Sequence, residues 1–451
     1  MSDIDVIGGG LAGSEAAWQL AQQGWQVDLY EMRPNQPTGV HTGGDLAELV
    51  CSNSLGSSLS DRASGVLMSE LEKLSSLLLR IAKETCLPAG GALAVDRQLF
   101  ARRVTEAIES HANIRLVRQE VTAMPDKPAI IASGPVTSAR LAGALQTWSG
   151  SEHLYFYDAI APVVSLESID FSKAYRASRY GRGQSEEGDY INCPFSREEY
   201  DRFYDALISA ERIVLKEFEL DIEKGVRAGS HQYFEGCLPI EVMAARQKDA
   251  LTFGPLRPAG LINPGTGRWP YAVLQLRQDN LAGTLYNLVG FQTNLKFSEQ
   301  CRVFRMAPGL EKAEFVRYGQ MHRNTFIYSP ALLKPNLQSQ QREQLFFAGQ
   351  ITGVEGYMGN IATGLLAGLN AARWLSGKPL YELPHTSMLG GLCYYITHAS
   401  PQDFQPMKAN FGILPRLKDA SIRGKRPRAQ AFTQRATLDF DTFLEEQFIE
   451  K

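Results

Sequence analysis

The first thirty-one residues constrain this chain most. Ile4-Asp5-Val6-Ile7 is a short apolar run, followed at once by Gly8-Gly9-Gly10-Leu11-Ala12-Gly13 and by a helix-forming stretch that reaches Gln23 and stops at Gly24. Trp25 to Tyr30 reads as a second strand, which ends on Glu31. Strand, glycine turn, helix and strand make a βαβ unit, with glycines at 8, 10 and 13 in the spacing G-x-G-x-x-G. Glycines there let the backbone turn tightly and approach a pyrophosphate, which then rests on the positive end of the helix. Glu31, 23 residues past Gly8, is placed to accept hydrogen bonds from a ribose 2′-hydroxyl and to repel a 2′-phosphate. The expected dinucleotide contacts are therefore Gly8, Gly9, Gly10, Leu11, Ala12, Gly13 and Glu31.

The far end of the chain decides which dinucleotide. Gln344 to Gln350 is an apolar strand running into Ile351-Thr352-Gly353-Val354-Glu355-Gly356-Tyr357-Met358-Gly359-Asn360, then into a small-residue helix from about 361 to 375, closed by Gly377. Flavoproteins of the two-dinucleotide-fold type resemble this: a late strand ending in glycine and a polar residue meets the ribityl chain, and the next helix points its dipole at the flavin. That resemblance favours FAD, with Gly349, Gln350, Gly356 and Met358 as flavin-side contacts. Pro128 to Gly134 reads as a further strand and turn, with Gly134 beside the pyrophosphate. The plain alternative for 361–375 is a buried helix whose glycines serve close packing. A second G-x-G-x-x-G in a strand-turn-helix setting is missing, since Gly181-Arg182-Gly183 and Gly265-Thr266-Gly267 stand in polar, loop-like surroundings. NADH or NADPH, if used, has no Rossmann domain of its own here.

A chain of 451 residues with 44% hydrophobic content can bury one large core or two moderate ones. The economical fold is α/β: a Rossmann-type FAD-binding domain in two parts, 1–160 and 320–435, interrupted by an α+β insertion at 161–319. An acidic tail, 436–451, follows. Within the insertion, Ser196-Arg197-Glu198-Glu199 is a capping box, opening a helix expected to reach about Phe218. With no uncharged apolar run of roughly 18 residues and no basic leader, the expected location is cytoplasmic, with no membrane partner. Six cysteines, at 51, 86, 193, 237, 301 and 393, form no CxxC and no Cys/His cluster, so neither a metal site nor a disulfide framework is expected. Charge is uneven: 408–436 holds eight basic residues against Asp419, a local +7, which leaves −10 in the rest of a chain whose net charge is −3. Such a run is either solvated surface or a contact for nucleic-acid phosphates.

One thiol stands out by its setting, Cys51 in ELVCSNSLGS. An isolated cysteine is usually a small buried hydrophobe, and Cys86, Cys193, Cys301 and Cys393 are read that way. Pyridine-nucleotide disulfide reductases carry a cysteine pair in the comparable region, but position 56 is glycine here and the next cysteine is Cys86, which argues against a redox dithiol.

Taken together, GGGLAGSEAAWQLAQQG with EMRP, AELVCSNSLGS, ALAVDRQLFARRV, FEGCLPIEVMAARQKDALTFGPLRPAGL, FVRYGQMHRNTFI and FAGQITGVEGYMGNIATG resemble the folate- and FAD-dependent tRNA (uracil-5-)-methyltransferases, the small relatives of the glucose-inhibited division proteins. These motifs span Ile4 to about Ala372; beyond about 400 only the basic character matches. The resemblance implies methylation of a T-loop uridine of tRNA at carbon 5, with methylenetetrahydrofolate as one-carbon donor and FAD, reduced by NADH or NADPH, as electron donor. It marks Cys51 and Cys237 as catalytic. Carbon 6 of uracil is a soft Michael acceptor, and a thiolate added there makes carbon 5 nucleophilic. Cys237 is assigned as that nucleophile, and Cys51 as the flavin-proximal base or carrier of a transient methylene; the reverse assignment stays open.

His231 and His322 could meet folate, and Arg246, Lys248, Arg257 and Arg268 could meet phosphates or the folate glutamate, although an isolated histidine is more often an ordinary surface or core residue and a lone basic side chain more often solvated. The expected partners are the tRNA T-arm and folate, with no obligate protein partner indicated. Three other readings are weighed. The larger wobble-uridine-modifying relative carries a long helical C-terminal domain, yet only about 75 residues follow Leu375 here. A small-molecule flavin oxidoreductase leaves Cys237 and the basic run without a purpose. A flavin-carrying RNA-binding protein needs no reactive thiol.

Overall fold

The computed structural model describes the chain apart from residues 1, 151–153, 160, 214–237, 320, 401–403, 420 and 449–451, and of 154–159, 321–323 and 448 the backbone alone. Its centre is a five-stranded parallel sheet in the order 345–347, 129–131, 4–7, 27–30, 114–117. Parallel strands are covered on both faces, and the side-chain alternation sorts them. Ile4, Val6, Ile130 and Phe346 enter the main core, whereas Ile7, Ala129, Ile131, Leu345 and Phe347 enter a second cluster on the opposite face.

Two helices lie on the main-core face. The first, Leu11–Gln22, follows the glycine turn directly. The second, Tyr357–Leu375, packs across it, and its glycines make the approach possible: a Cβ on Gly364 would stand 2.2 Å from the Ala12 carbonyl oxygen, and one on Gly368 2.8 Å from that of Ala16. Glycines for close packing and a helix end aimed at the cofactor region are thus both true of one helix. It begins at Tyr357, four residues before the expected start, because Gly356 takes a left-handed φ of +84° and caps it.

The segment 163–317 forms a six-stranded sheet in the order 175–177, 190–195, 272–278, 285–288, 163–165, 315–317, with antiparallel pairing throughout. It has a core of its own, built from residues between Val164 and Ala313. The chain passes to and from this part through a ribbon in which Met321–Phe326 runs antiparallel to Leu154–Ala159. The α/β domain with an α+β insertion is therefore the observed fold. The helix opened by the capping box has both reciprocal bonds, Glu199 N–H to Ser196 Oγ at 3.2 Å and Ser196 N–H to Glu199 Oε2 at 2.8 Å. It ends at Ser209 rather than near Phe218, since Ala210 turns extended and Arg212 bridges Leu295.

Downstream, one helix runs unbroken from Lys425 to Phe448, through position 436, and buries Phe432, Ala436 and Phe440. Among the described residues no helix is long and apolar enough to cross a membrane.

Candidate active site

A cleft open to solvent lies beyond the carboxyl ends of the parallel strands, where such folds hold ligands. Gly8, Gly10, Leu11, Ala12, Glu31, Gly134, Gly349 and Gln350 line it, so segments more than 300 residues apart converge there. Each glycine has a distinct reason. Gly8 has a φ of +107° and a Cβ there would come within 2.5 Å of the Ala132 carbonyl oxygen; one on Gly13 would come within 1.8 Å of that of Gly8. Gly10, by contrast, has nothing within 4 Å of its Cβ position and leaves the cleft wall open. The helix it caps has no side-chain cap, so its first-turn amides remain available to an anion.

Glu31 is buried and has more to do than the sequence suggests. Its carboxylate accepts from Gly9 N–H at 3.0 Å and from Arg33 N–H and Nε at 2.9 and 3.0 Å, and Arg33 continues to Glu48 at 3.0 Å. Burial opposes ionisation of Glu31, but the Arg33 charge and these hydrogen bonds outweigh it and hold its pKa below the usual value. The side chain clamps the Gly9 turn and keeps few acceptor directions for a ribose.

Met358 is 3% exposed and packs in the main core instead of lining the cleft. Two residues of its helix do line it, Tyr357 and Asn360, and Asn360 Oδ1 is buried without a hydrogen-bond partner among the described residues. A buried orphan acceptor, an open glycine cradle and two uncapped helix starts fit a flavin dinucleotide.

Cys51 stands at the edge of this cleft, next to Val50 in its wall. The Tyr357 hydroxyl accepts the N–H of Cys51 at 2.8 Å and of Ser52 at 3.2 Å. Burial, then the nearby Cys51, pushes the Tyr357 phenol far up, so it stays protonated. On the other side, Asn53 is fully buried and ties the loop to the insertion sheet: its Nδ2 donates to the carbonyls of Val95 at 3.1 Å and Gln278 at 2.8 Å, and its Oδ1 accepts from Arg277 Nε at 2.9 Å. Arg97 adds a second tie, pairing with Asp279 at 2.8 Å and donating to the Leu49 carbonyl at 3.4 Å. The Cys51 loop is thus clamped at the seam of the two domains.

Arg317, on the last strand of the insertion sheet, has Nε and Nη2 buried with no hydrogen-bond partner among the described residues. Burial pulls its pKa down to about 10, Arg97 adds to this, and Asp279, Tyr357 and Cys51 act in the opposite sense. Two buried donors with no acceptor among the described residues, within electrostatic range of Cys51, suit a ligand oxygen.

Cys237 and His231 lie outside the described residues, as does the His322 side chain. Among the other thiols, Cys193 and Cys393 are buried and pushed up by burial, Cys393 to about 12. Cys86 departs from the small-hydrophobe reading: it is exposed on a two-residue edge strand. Cys301 is half-buried, with Sγ 3.3 Å from the Tyr318 hydroxyl. No metal-holding cluster of His, Cys, Asp and Glu occurs among the described residues. In the basic run, Arg416, Lys418, Arg423, Lys425, Arg426 and Arg428 are exposed, but Arg435 turns inward to the Pro415 and Arg416 carbonyls. Sequence reasoning missed Tyr357, Asn53, Arg97, Arg277 and Arg317 as parts of the site. All but Arg277 stand inside motifs already singled out, and a buried arginine facing a loop thiol leaves no periodicity to detect.

Comparison with known proteins agrees with this geometry. Residues 3–379 match the family described as glucose inhibited division protein A. The methylenetetrahydrofolate–tRNA-(uracil-5-)-methyltransferase TrmFO of Anoxybacillus flavithermus is 54% identical over 98% of this chain and 99% of its own. That of Natranaerobius thermophilus is 55% identical with the same coverage. In structure, GidA of Aquifex aeolicus superposes with a TM-score of 0.69 at 18% identity, over 99% of this chain and 77% of that one, a likeness of fold. With a family match over most of its length and relatives above half identity from end to end, this chain belongs to the methylenetetrahydrofolate–tRNA-(uracil-5-)-methyltransferase branch of the glucose inhibited division protein A family.

Proposed function

We propose that this protein methylates carbon 5 of a uridine in the T-loop of tRNA, taking the one-carbon unit from methylenetetrahydrofolate. The observation that carries the reading is the clamp on Cys51: a thiol loop fixed by Tyr357 at the mouth of a dinucleotide cleft and by Asn53 and Arg97 to the inserted domain. When bound, FAD, itself reduced by NADH or NADPH, supplies the hydride that takes the transferred carbon from the methylene to the methyl level. Gly8 to Gly13 and Gly349 would hold that cofactor, with Asn360 offering its unpartnered carbonyl.

The chain's own chemistry lies in its thiols and guanidinium groups. A thiolate, assigned to Cys237, adds to carbon 6 of the uracil and places a pair of electrons on carbon 5. Carbon 5 then bonds to the donated methylene. A base, assigned to Cys51, removes the carbon-5 proton, and the pair left behind expels tetrahydrofolate, whose nitrogen takes a proton; once the resulting exocyclic methylene has taken up a hydride, the carbon 6–sulfur bond breaks to release the thiolate. Arg317 would offer its free donors to a carbonyl oxygen of the pyrimidine as charge develops there. Incubating the purified protein with unmodified tRNA, labelled methylenetetrahydrofolate and NADPH should place label on the T-loop uridine. Failure to transfer with FAD bound would reject the reading.

A further inference from the structure

A second surface is built from residues that this chemistry does not use. Two loops of the inserted domain are tied together there: Tyr180 N–H donates to the Gly260 carbonyl at 2.9 Å, and Arg179 Nη1 to the Ala259 carbonyl at 2.8 Å. Tyr180 has a left-handed φ of +58°, strained for a bulky aromatic residue, and its side chain is nevertheless 61% exposed. In the partner loop, Asn263 and Arg268 form an antiparallel bridge, which sets Ile262 and Trp269 opposite each other one position farther out. They are 58% and 62% exposed. Arg182, Arg257 and Arg268 stand exposed on the same two loops, and none takes part in an ion pair among the described residues. The Arg182 guanidinium is 6.0 Å from the Tyr180 ring centre. Of the three acids on the first loop, Asp189 is taken up by the amides of Gln184 and Ser185, Glu187 faces Arg176, and Glu186 is exposed.

This surface is joined to the active site. The Tyr190 hydroxyl donates to the Ala89 carbonyl at 3.0 Å, and Gly90 N–H to Asp189. From there the chain enters Ala92–Val95, which pairs with Ser54–Ser57, the strand that leaves Cys51. One strand length, on the order of 13 Å, separates the two ends of that path.

We propose that this face is a docking platform for tRNA, on which Tyr180 and Trp269 stack unpaired loop bases while Arg182, Arg257 and Arg268 hold backbone phosphates. The inference rests on the tRNA reading above and adds the surface that does the holding. Exposed rings interleaved with unpaired guanidinium groups are what single-stranded RNA requires, because every base has a face to stack and every linkage a charge to neutralise. The basic run 416–428 differs: its cations have no exposed large apolar side chain among them.

The test uses the full-length, FAD-loaded protein and an unmodified tRNA transcript. Trp269→Ala and Tyr180→Asn, the latter chosen because asparagine tolerates a left-handed φ, should each raise the KM for tRNA roughly tenfold. kcat, the KM for methylenetetrahydrofolate, flavin absorbance and the melting curve should not change. Replacing Arg182, Arg257 and Arg268 together by Gln should flatten the salt dependence of tRNA affinity by about three units of slope. Wild-type KM and slope in all three variants, with tRNA still methylated by the parent, overturn the platform and leave the activity standing. Loss of binding to anionic phosphatidylglycerol vesicles with tRNA affinity intact overturns it in favour of a membrane surface. A parent that methylates no tRNA at all refutes the activity instead.

Discussion

The hydroxyl of Tyr357 accepts the amide hydrogen of Cys51 at 2.8 Å, across 306 residues of chain. Tyr357 is the first residue of the helix that packs on the glycine-turn helix, so the position of the thiol loop is set by the packing of the cofactor domain itself. Asn53 and Arg97 hold the other side of the loop to the inserted sheet. A thiol meant to work beside a cofactor has to be held in this way, since a misplacement of about 1 Å is enough to cost a hundredfold in rate.

Tyr357→Phe removes the acceptor of two amides and leaves both unsatisfied, at a cost of about 1–3 kcal/mol. Methyl transfer should fall at least tenfold while flavin is retained. Single-turnover transfer, with flavin absorbance as the control, checks this; unchanged transfer would mean that the loop needs no such anchor.

Arg317 separates stability from function. Its buried Nε and Nη2 serve no acceptor among the described residues, so Arg317→Met removes a desolvated charge and breaks no bond to them. The melting temperature should hold or rise, while transfer to tRNA drops by ten- to a hundredfold. A variant that melts earlier would show the guanidinium to be structural.

The glycines of the second helix should be unequal to those elsewhere. A Cβ at Gly364 would stand 2.2 Å from backbone, so Gly364→Ala forces the two helices apart and should cost several kcal/mol and the bound flavin. Gly143, in the exposed part of the helix Ala139–Ser149, has nothing within 4 Å of its Cβ position. Gly143→Ala should be neutral or stabilise by about 0.5–1 kcal/mol. Thermal melts and flavin content of the two variants make the comparison.

Glu70 predicts a pH dependence. It is buried and accepts the Met388 and Leu389 amides at 2.7 and 2.8 Å, and burial raises its pKa from 4.5 to about 7. The folded state therefore binds the proton more tightly than the unfolded one. Its contribution is fully present below pH 4.5 and is lost as pH rises towards 7, by about 3 kcal/mol in all. Glu70→Gln should flatten the stability profile between pH 5 and 7.5; chemical denaturation at several pH values reads it, and an unaltered slope would exclude Glu70 as its source.

What could be read in advance follows from what short-range chemistry encodes. Gly8, Gly10 and Gly13 announce a turn against a pyrophosphate because only glycine survives there, and Ile4 to Ile7 announce a doubly covered strand. The late strand at Phe346 and Phe347 was legible for the same reason. Helix ends were less so: the capping box at Ser196 marks a start, but the stop at Ser209 depends on the distant bridge from Arg212 to Leu295. Least legible was the clamp around Cys51. Tyr357, Asn53, Arg97 and Arg317 meet only because two domains close on one loop, and no local pattern carries that meeting.

The central claim, a thiol that activates a pyrimidine beside the dinucleotide cleft, is tested most directly by trapping. A T-stem-loop carrying 5-fluorouridine has no carbon-5 proton to give up, so the adduct cannot break down once the one-carbon unit is attached. Mass analysis of the trapped protein should find the RNA on Cys237, with Cys51→Ala blocking turnover. RNA found on neither Cys237 nor Cys51, while ordinary tRNA is still methylated, would contradict the account.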